Sequence, residues 1–404
     1  MDNVVESESF KLDKLKWQLV ALGKLAEEIS VRVEEPFKSG YDRFIGLQHF
    51  ESGSLKIKSY GTTENLTSST KAFKKGDVLL ARRNAYLRRA SLVDFDGVCS
   101  GDAFVLRENS EYIIPGFLAF IVNSNKMWDF ANANAAGTMS KRVKWRDLSQ
   151  FELLLPPKEE QVKILDLWWK AYSFIEHQLV VNERTISLKE SVFENFITDN
   201  NEPVTKSTIG ELACKEKYSC IGGPFGSNLS GKHYVEEPGV PVIRGTNLSK
   251  GKFEFIDDGF VYVSTEKADS LVKNMAYRGD IVVTQRGTMG QVGLIPFDSK
   301  YERYVISQSQ MKITVDSKKA LPKYVYYYLL SRSAMHHLSL SIISTGIPHI
   351  NLGIFRSFPI LLPSIESQEK VVKKIEVIDS CLRDQRAQLT SSINLLNNLI
   401  NKVF

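Results

Sequence analysis

Two short segments in the N-terminal half of the 404-residue chain carry dense clusters of basic side chains. Their members are Arg82, Arg83, Tyr86, Arg88 and Arg89 in the first segment, and Lys141, Arg142 and Lys144, followed by Trp145 and Arg146, in the second. An arginine side chain can hydrogen-bond a guanine edge or a phosphate through two nitrogens. The clusters therefore predict a nucleic-acid contact, although for each arginine taken singly a solvated basic face is an equal alternative. The residue types do not say which side chains reach phosphates and which reach base edges.

The C-terminal half places amides and hydroxyls where the N-terminal half has arginines. Its polar residues are Gln285, Arg286 and Thr288, and then the run Ser307, Gln308, Ser309 and Gln310. The first group aligns with the cluster that begins at Arg82, and the second aligns with Ser100-Gly101-Asp102. A glutamine amide can pair with an adenine edge, and hydroxyls can bond several bases. Similar scaffolds with different polar sets predict the reading of two half-sites, whereas a strand with an exposed polar face is the alternative for the glutamine run.

Known catalytic and cofactor-binding motifs are absent from the sequence. There is no phosphate-binding loop, no dinucleotide-binding glycine pattern, no His-Glu-x-x-His pair and no Gly-x-Ser-x-Gly elbow. The Asp/Asn-Pro-Pro-Tyr/Phe tetrapeptide of amino-methyltransferases is also missing, and Pro224 and Phe225 argue against a phosphate cradle at Gly222–Gly226. We therefore predict that the chain has no catalytic residue, no metal site and no cofactor. A stand-alone methyltransferase or nuclease with a divergent active site is the alternative from the enzyme class.

The elements that must position these residues occur twice, because the sequence repeats itself after about 200 residues. The landmarks recur in the same order: Leu22-Gly23 as Ile209-Gly210, Gly76–Leu80 as Gly279–Val283, and Leu154–Pro156 as Leu361–Pro363. Each repeat alternates short runs of β-branched and aromatic residues with Gly, Pro, Asn and Ser, which predicts strands separated by turns. Val98–Leu106 is predicted as one such strand, and Pro115–Phe130 and Pro322–Leu340 are predicted to be helical.

A long segment without Gly or Pro closes each repeat. Glu159–Ile197 and Glu366–Phe404 both carry apolar side chains at steps of three and four over several heptads. A helix of that length extends over roughly 58 Å at about 1.5 Å per residue, and it needs a partner helix to cover its apolar stripe. We predict that the two helices pair with each other in an antiparallel intramolecular coiled coil. The alternative is a generic two-domain protein with a helical linker.

Composition and charge are those of an ordinary globular protein. Hydrophobic residues make up 43% and charged residues 25%, and the formal net charge of +5 is compatible with a polyanionic partner. The four cysteines, Cys99, Cys214, Cys220 and Cys381, are too sparse for a disulfide framework and lack zinc-ligand spacing. The longest apolar runs fall far short of the roughly 20 residues that span a bilayer. We expect a cytoplasmic protein with reduced thiols and no membrane insertion.

These patterns together predict an α+β fold. Two similar globular domains are joined by two long antiparallel helices, which form an intramolecular coiled coil and a pseudo-twofold internal repeat. We place the domains at residues 1–156 and 200–363, and the helices at 157–199 and 364–404.

The ordered set of motifs resembles the specificity subunit of type I restriction-modification systems over essentially the whole chain. In the first half the resemblance rests on Trp17–Gly23, Phe44–His49, Phe73–Asp77, Tyr86–Arg89, Gly97–Asp102 and Gly137–Pro157. In the second half it rests on Gly222–Leu229, Gly239–Asn247, Gly279–Gly293, Ser307–Met311, Gly346–Asn351, Leu362-Pro363 and Gln368. No single tetrapeptide is unique, but the set occurs twice in order, with a long helix after each occurrence.

The resemblance implies two target-recognition domains that each read one part of a split double-stranded DNA site. It places further DNA contacts on the matching loops, at Arg244, Asn247 and His349. It also implies that the helices set the spacer and bind two modification subunits, which carry S-adenosylmethionine and the adenine-N6 chemistry. Restriction subunits, where present, would add ATP-driven translocation and cleavage.

In that picture this chain is a non-catalytic subunit. The apolar residues that the helix seam leaves over, and that are expected to face partner subunits, are Trp169, Phe174, Ile197 and Leu395. A coiled-coil scaffold that only joins proteins is the alternative from the interaction class.

Overall fold

The computed structural model describes residues 12–199, 203–236, 239–248, 255–344 and 346–404 of the chain. The chain divides into two compact units. Unit 1 comprises Met1–Leu179 and Ala387–Phe404, and unit 2 comprises Val180–Arg386. Each unit therefore includes one strand-rich part of the chain and a part of both predicted long helices.

Unit 1 is built on β-sheets whose strands are short. The strands are β1 (Gln18–Ala21), β2 (Ala26–Ile29), β3 (Arg32–Val33), β4 (Arg43–Ile45), β5 (Gly61–Thr62), β6 (Thr70–Phe73), β7 (Val78–Ala81), β8 (Ala90–Leu92), β9 (Gly97–Cys99), β10 (Ala103–Glu108) and β11 (Glu152–Leu155). They form the sheets β1-β11, β2-β10-β7-β8 and β3-β6-β9-β4-β5. In this last sheet β4 and β9 run parallel, with Phe44 opposite Val98 and Ile45 opposite Cys99.

Unit 2 repeats this arrangement. Its strands are β12 (Thr205–Thr208), β13 (Cys220–Gly222), β14 (Tyr234–Val235), β15 (Val240–Ile243), β16 (Val261–Val263), β17 (Met275–Tyr277), β18 (Ile281–Thr284), β19 (Val292–Leu294), β20 (Arg303–Ile306), β21 (Gln310–Ile313) and β22 (Pro359–Leu362). They form β12-β22, β13-β21-β18-β19 and β14-β16-β15-β20-β17. The order β17-β20-β15-β16 matches β6-β9-β4-β5 of unit 1, and the parallel pair occurs again at the same place, between β15 and β20. The internal repeat predicted from the sequence is confirmed.

The repeated Gly-Asp landmark precedes β7 in unit 1 and β18 in unit 2. Asp77 is buried and accepts two hydrogen bonds from Arg107, both at 2.8 Å, and one from a backbone N–H three residues earlier. Asp280 is buried in the same way, with Lys312 at 2.7 Å and an equivalent backbone N–H at 2.9 Å. A carboxylate tolerates burial only when it is paired and hydrogen-bonded. The landmark therefore recurs for a structural reason.

The helices are shorter and more numerous in the strand-rich parts than the sequence predicts. They are α1 (Leu22–Leu25), α2 (Leu118–Ile121), α3 (Asn125–Ala133), α4 (Trp145–Leu148), α5 (Lys158–Thr198), α6 (Ile209–Leu212), α7 (Thr265–Ser270), α8 (Pro322–Leu329), α9 (Arg332–Ser341), α10 (Leu352–Arg356) and α11 (Ile365–Val403). The long helices α5 and α11 begin and end within two residues of the segments that lack Gly and Pro.

Three local predictions are wrong because each predicted element is interrupted. The predicted helix Pro115–Phe130 is split into α2 and α3, and Pro322–Leu340 is split into α8 and α9. New helices begin after Ser124 and Ser331, because each serine hydroxyl caps a backbone N–H three residues further on. The predicted strand Val98–Leu106 is likewise two strands, β9 and β10, since a turn at 100–102 separates them.

The long helices contribute to the core of each unit. In unit 1, Trp168 of α5 stacks on Phe117 and Phe120, with ring centroids 5.4 and 4.9 Å away, and lies 5.6 Å from Phe404. In unit 2, Phe193 of α5 packs against Tyr324, with a centroid distance of 5.7 Å. Burying such aromatic surface is the main favourable term in packing a helix against a domain.

The helices are antiparallel within unit 2. Gln385 of α11 donates to Thr185 of α5 at 3.3 Å. Four residues further along α5, Lys189 donates at 2.6 Å to Asp379, which lies earlier in α11. Because the residue number rises along one helix as it falls along the other, the predicted antiparallel pairing is confirmed there.

Each long helix is also fastened at its start by a buried glutamine. Gln161 accepts a hydrogen bond from the Ile114 N–H at 3.0 Å and donates to the Pro156 carbonyl at 2.9 Å. Gln368 makes the equivalent pair of bonds, with Leu321 at 2.9 Å and Pro363 at 3.0 Å. The repeated Pro and Gln of the sequence therefore join each helix to the loop beside it.

The residues expected to face partner subunits differ in exposure. Phe174 and Leu395 are 50% and 58% exposed, so both are accessible to a partner. Ile197 is buried in the core of unit 2 and Trp169 is half-buried against the core of unit 1, so the prediction is wrong for Ile197. Among the described residues, no helix has both the length and the apolar character needed to cross a bilayer.

Candidate nucleic-acid interface

The two basic clusters of unit 1 lie side by side at the end of β7. The Arg82 carbonyl accepts a hydrogen bond from the Val143 N–H at 2.9 Å, and the Lys141 carbonyl accepts one from Asn84 at the same distance. Arg83 and Arg142 form a backbone bridge between the two segments. Residues 82–89, 100–102 and 139–144 are called the paired loops of unit 1.

Asp102 is the acidic residue around which two arginines of these loops are arranged. Its carboxylate accepts two hydrogen bonds from Arg142, at 2.9 and 3.2 Å, and lies 3.5 Å from Nε of Arg82. The hydrogen-bonded Arg142 guanidinium holds the pKa of Asp102 below its usual range, so the carboxylate stays ionised. Arg142 remains 43% exposed, which leaves its free nitrogen available to a ligand.

Other members of the first cluster hold the loops in place. Arg89 donates to the carbonyls of Leu47 and Arg83, both at 3.1 Å, and burial lowers the pKa of its guanidinium. Arg88 donates to the side chain of Asn125 at 2.7 Å, and Arg83 donates to a serine hydroxyl of the neighbouring loop. We assign Arg89 to loop positioning.

Exposed side chains stand around this framework. Tyr86 is 67% exposed, and Lys141 and Lys144 are exposed as well. The paired loops of unit 1 thus present cationic and aromatic groups to solvent at the ends of buried strands.

Unit 2 builds the same framework from different residues. The Gln285 carbonyl accepts from the Ile350 N–H at 3.0 Å, and Arg286 and His349 form the backbone bridge. The Gln285 N–H donates to the Ser309 carbonyl at 2.7 Å, just as the N–H of Arg82 donates to the Asp102 carbonyl at 3.0 Å. Residues 285–288, 307–310 and 346–350 are called the paired loops of unit 2.

The side chains at equivalent positions differ between the units. The equivalent residues are Arg82 and Gln285, Arg83 and Arg286, Asp102 and Ser309, and Arg142 and His349. Arg286 and Thr288 are exposed, and Gln285, Ser309 and His349 are partly exposed. A fully charged set in unit 1 therefore corresponds to a largely neutral hydrogen-bonding set in unit 2.

Two predicted contacts of unit 2 are buried instead. Asn247 is 1% exposed, and its amide donates to the carbonyls of Ile256 and Asp258 at 3.1 and 3.0 Å. Gln310 is also 1% exposed, and its side-chain oxygen accepts from the Ser307 hydroxyl. Because their polar groups are used inside the fold, we assign Asn247 and Gln310 to positioning rather than to ligand contact.

Two further predicted residues have mixed roles. The Gln308 amide donates to the carbonyls of Gly226, at 2.6 Å, and Leu229, and so fastens another loop. Arg244 is half-buried at the end of β15, and its Nε is buried without a hydrogen-bond partner among the described residues. Its remaining nitrogens can still serve as donors.

The sequence reasoning missed two residues that support the loops. His49 accepts a hydrogen bond from the Gly46 N–H at 2.9 Å. In unit 2 Asn247 takes the equivalent place and accepts from the Arg244 N–H at 3.0 Å. Burial lowers the pKa of His49 and favours the neutral ring that this contact needs. Gln291 donates to the Gly245 carbonyl at 3.0 Å in unit 2, as Arg89 donates to the Leu47 carbonyl in unit 1. The three-residue spacing of a turn cap was the available signal for His49.

The arrangement offers hydrogen-bond donors and acceptors at two surfaces. Guanidinium and ammonium groups suit phosphates and guanine edges, whereas amide, hydroxyl and imidazole groups suit other base edges. In the part of the chain that the structure describes, no three His, Cys, Asp or Glu side chains are grouped so that they could hold a metal ion.

This chain is similar in sequence to several specificity subunits of type I restriction enzymes. Residues 226–395 match the family described as the Type I restriction modification DNA specificity domain. A Methanocaldococcus jannaschii protein, provisionally named type I restriction enzyme MjaX specificity subunit, is 23% identical over 348 residues, covering 80% of this chain and 77% of the relative. The type I restriction enzyme EcoDI specificity subunit of Escherichia coli is 25% identical over 192 residues, covering 45% of this chain and only 42% of that protein. The resemblance to type I specificity subunits predicted from the sequence is confirmed.

Two solved structures share the fold over almost the whole chain. One, from work on the complex assembly and conformational transition of the type I R-M system, has a TM-score of 0.59 at 20% identity and covers 98% of both chains. The other is a type I restriction-modification S subunit from M. genitalium, with a TM-score of 0.53 at 14% identity and the same coverage. The α+β architecture with two long helices is therefore shared with those proteins.

Proposed function

We propose that this chain, a relative of the type I specificity subunits, is the DNA sequence-reading subunit of a type I restriction-modification complex. Each unit reads one part of a bipartite site. The observation that carries the proposal is that both units build their paired loops with the same backbone hydrogen bonds and fill them with different side chains. A shared framework with exchanged donors and acceptors is what the reading of two different half-sites requires.

In unit 1 the side chains that contact bases are arginines whose orientation is fixed by a carboxylate. Asp102 uses Nε and Nη2 of Arg142, so Nη1 is left to donate to a guanine edge. The exposed Lys141 and Lys144 supply phosphate contacts, which add affinity without sequence information.

In unit 2 the reading groups are neutral. Gln285, Ser309 and His349 carry out the base recognition, and an amide such as that of Gln285 suits an adenine edge. Arg286 takes the phosphate role because it is exposed, and Thr288 lies beside it.

The chain acts within a larger cytoplasmic complex in this proposal. Residues 1–156 and 200–363 are the target-recognition domains. The helical segments 157–199 and 364–404 set the spacer and dock two modification subunits, with Phe174 and Leu395 as exposed apolar contacts. Methyl transfer to adenine N6, and any ATP-driven translocation and cleavage, belong to the partner subunits.

Methylome sequencing tests the proposal. Cells that carry this chain and its modification subunit are compared with cells in which the first domain, residues 1–156, is replaced by that of a relative. We expect a bipartite N6-methyladenine motif, of which only one half changes on exchange. A matched Gln285→Ala variant is expected to relax only the other half.

A different outcome would favour a scaffold. If the complex assembles and binds S-adenosylmethionine but produces no bipartite motif, the chain joins proteins without reading DNA. Change in both halves on exchange of one domain would contradict the assignment of one half-site to each unit.

A further inference from the structure

A loop of unit 2 outside the paired loops holds an aromatic side chain in solvent. Phe225, in the Gly-Gly-Pro-Phe-Gly segment after β13, is 91% exposed. A single exposed apolar residue is common on protein surfaces and carries no meaning alone. The surrounding loop, however, is built to hold this ring in a fixed place.

The loop is fixed on the N-terminal side of the ring. The Gly223 N–H donates to the Gln310 carbonyl at 2.8 Å, and the Gly222 carbonyl accepts from the Asn274 amide at 2.7 Å. A Cβ atom on Gly223 would lie 2.0 Å from the Ser307 carbonyl oxygen, so no other residue fits this close approach.

The loop is fixed on the C-terminal side as well. The Gln308 amide donates to the carbonyls of Gly226 and Leu229. Gly226 has a φ of +57°, a left-handed conformation that glycine adopts without strain. Phe225 therefore projects from a backbone that is anchored on both sides, although its ring is almost wholly in water.

The anchoring residues are themselves part of the paired loops of unit 2. Ser307, Gln308 and Gln310 form one of those loops, and Gly222 lies so close to Gln285 that an added Cβ would be 3.1 Å from its amide oxygen. The exposed Lys232 follows on the same segment. The loop that carries the ring is thus bonded to the hydrogen-bonding residues of the paired loops and is followed in sequence by an exposed cation, a setting that suits a polyanion better than an apolar protein surface.

Unit 1 has a similar Pro-Phe segment, Pro36-Phe37, between β3 and β4, and Phe37 is 49% exposed with the Lys38 ammonium 5.1 Å from its ring centroid. Among the described residues, however, no hydrogen bond joins that segment to the paired loops of unit 1. The anchoring by paired-loop residues is therefore particular to Phe225, and the proposal concerns that ring alone.

We propose that Phe225 is a wedge that inserts between stacked bases of duplex DNA at the half-site read by unit 2. The proposal rests on the proposed function. Aromatic and apolar side chains that enter a base step unstack it partially and kink the duplex. A ring held on a pinned loop enters the step without first losing backbone freedom, which makes insertion more favourable.

The test uses the full chain alone, so that no base-flipping partner contributes. Duplexes carry the bipartite motif found by methylome sequencing, with 2-aminopurine placed singly at successive positions of both halves. We expect a several-fold rise in fluorescence at one or two adjacent positions of the unit 2 half and none in the other half. Phe225→Ala is expected to abolish the rise and to weaken motif binding about ten-fold, as loss of a base–aromatic stack does, whereas Phe225→Leu keeps part of it.

The control is Phe297→Ala, which removes another ring of unit 2 that is 61% exposed. It should leave both fluorescence and binding unchanged, and all variants should melt as the wild type does. An unaltered fluorescence rise in Phe225→Ala would overturn the proposal. The proposal would also be overturned if Phe225→Ala bound DNA normally but no longer bound the modification subunit, because the ring would then contact a protein. If methylome sequencing yields no bipartite motif, the proposed function itself fails, and the wedge with it. If the motif exists and the wild-type chain binds the motif duplex without any rise in fluorescence, only the wedge fails.

Discussion

At the scale of single residues, unit 2 differs from unit 1 in how deeply it buries the ion pair of the Gly-Asp landmark. The side chains of Asp280 and Lys312 are 2% and 5% exposed, and their charged groups are 2.7 Å apart. In unit 1 the equivalent Asp77 is equally buried, but its partner Arg107 is 41% exposed. Loss of the landmark carboxylate should therefore destabilise the two units to different extents, because only Lys312 would remain buried without its partner.

We predict that Asp280→Ala lowers the free energy of unfolding by about 3–5 kcal/mol, as expected for an unpaired buried charge. Asp77→Ala is expected to cost less, since Arg107 can be hydrated. Urea denaturation of both variants measures the difference. Equal losses would contradict the explanation, and the double variant Asp280→Ala, Lys312→Met should recover part of the loss because it removes the stranded cation.

The cap at His49 predicts a pH dependence of stability. The folded-state pKa of His49 is lowered by burial, so the unfolded chain takes up the proton first. Stability contributed by the neutral ring is complete above the unfolded pKa and is lost as pH falls below about 6.5. We expect the wild-type free energy of unfolding to fall on acidification from neutrality more steeply than that of His49→Asn.

The variant is matched because asparagine is the natural cap at the equivalent position of unit 2. Asn247 accepts the corresponding N–H at 3.0 Å and does not titrate. Urea denaturation of the two proteins at neutral pH and at lower pH gives the comparison. Identical pH profiles would show that the His49 contact does not couple to protonation.

The location of the candidate site could be predicted at this scale, but the roles of its side chains could not. Runs of arginine and of amides directly after buried strands indicated the loops that the structure brings together in each unit. Whether a side chain is free depends on partners distant in sequence, as with Arg142 and Asp102, or with the Gln308 amide and the carbonyl of Gly226. Local residue types carry no information on such pairing, and so buried Asn247 was predicted to contact DNA.

At the scale of elements, the starts of α5 and α11 depend on Gln161 and Gln368. Both side chains are almost fully buried, at 1% and 0% exposure, and both bond a neighbouring loop and the proline carbonyl before the helix. We predict that Gln161→Ala or Gln368→Ala lowers the free energy of unfolding by about 1–3 kcal/mol, because buried backbone groups lose their partner. Thermal and urea unfolding measure the change.

The control for Gln368→Ala lies on the same helix, α11. Gln388 of α11 is exposed, so Gln388→Ala removes a glutamine side chain that is already in contact with water. This change should alter the free energy of unfolding by no more than about 0.5 kcal/mol. A loss at Gln388 as large as that at Gln368 would show that helix propensity, and not the buried contact, is responsible.

The long helices could be predicted from the sequence, whereas the short ones could not. The heptad stripe extends over many residues, and its period survives local exceptions such as Lys189. In the segments 115–130 and 322–340, a single capping serine decides where one helix ends and the next begins. Such boundaries depend on one hydrogen bond, which apolar periodicity does not record.

At the scale of the whole molecule, the duplication was the most predictable feature. Strand order and the parallel pair match between the units, because the landmark residues serve the same structural purpose in both. The segment that carries Phe225 could be recognised in the sequence only as a glycine-rich motif, because its hydrogen bonds to the paired loops cannot be read from the sequence. Repetition in sequence predicts architecture, and departures from repetition indicate where the two units acquire different tasks.

The formal net charge of +5 is small, so binding of DNA must depend on where the charges lie. If Lys141 and Lys144 bind phosphates, their joint replacement by alanine should weaken binding to motif and unrelated duplexes alike. The slope of log K against log salt concentration should become less steep by about one for each phosphate that is no longer neutralised. Gln285→Ala should instead weaken binding only to the motif and leave the salt dependence unchanged, since an amide releases no counterion. Titration of labelled duplexes with the full chain at several salt concentrations separates the two roles. Equal weakening of both duplexes by Gln285→Ala would mean that the amide does not read a base, and the unit 2 loops would then have to specify sequence through Ser309 or His349.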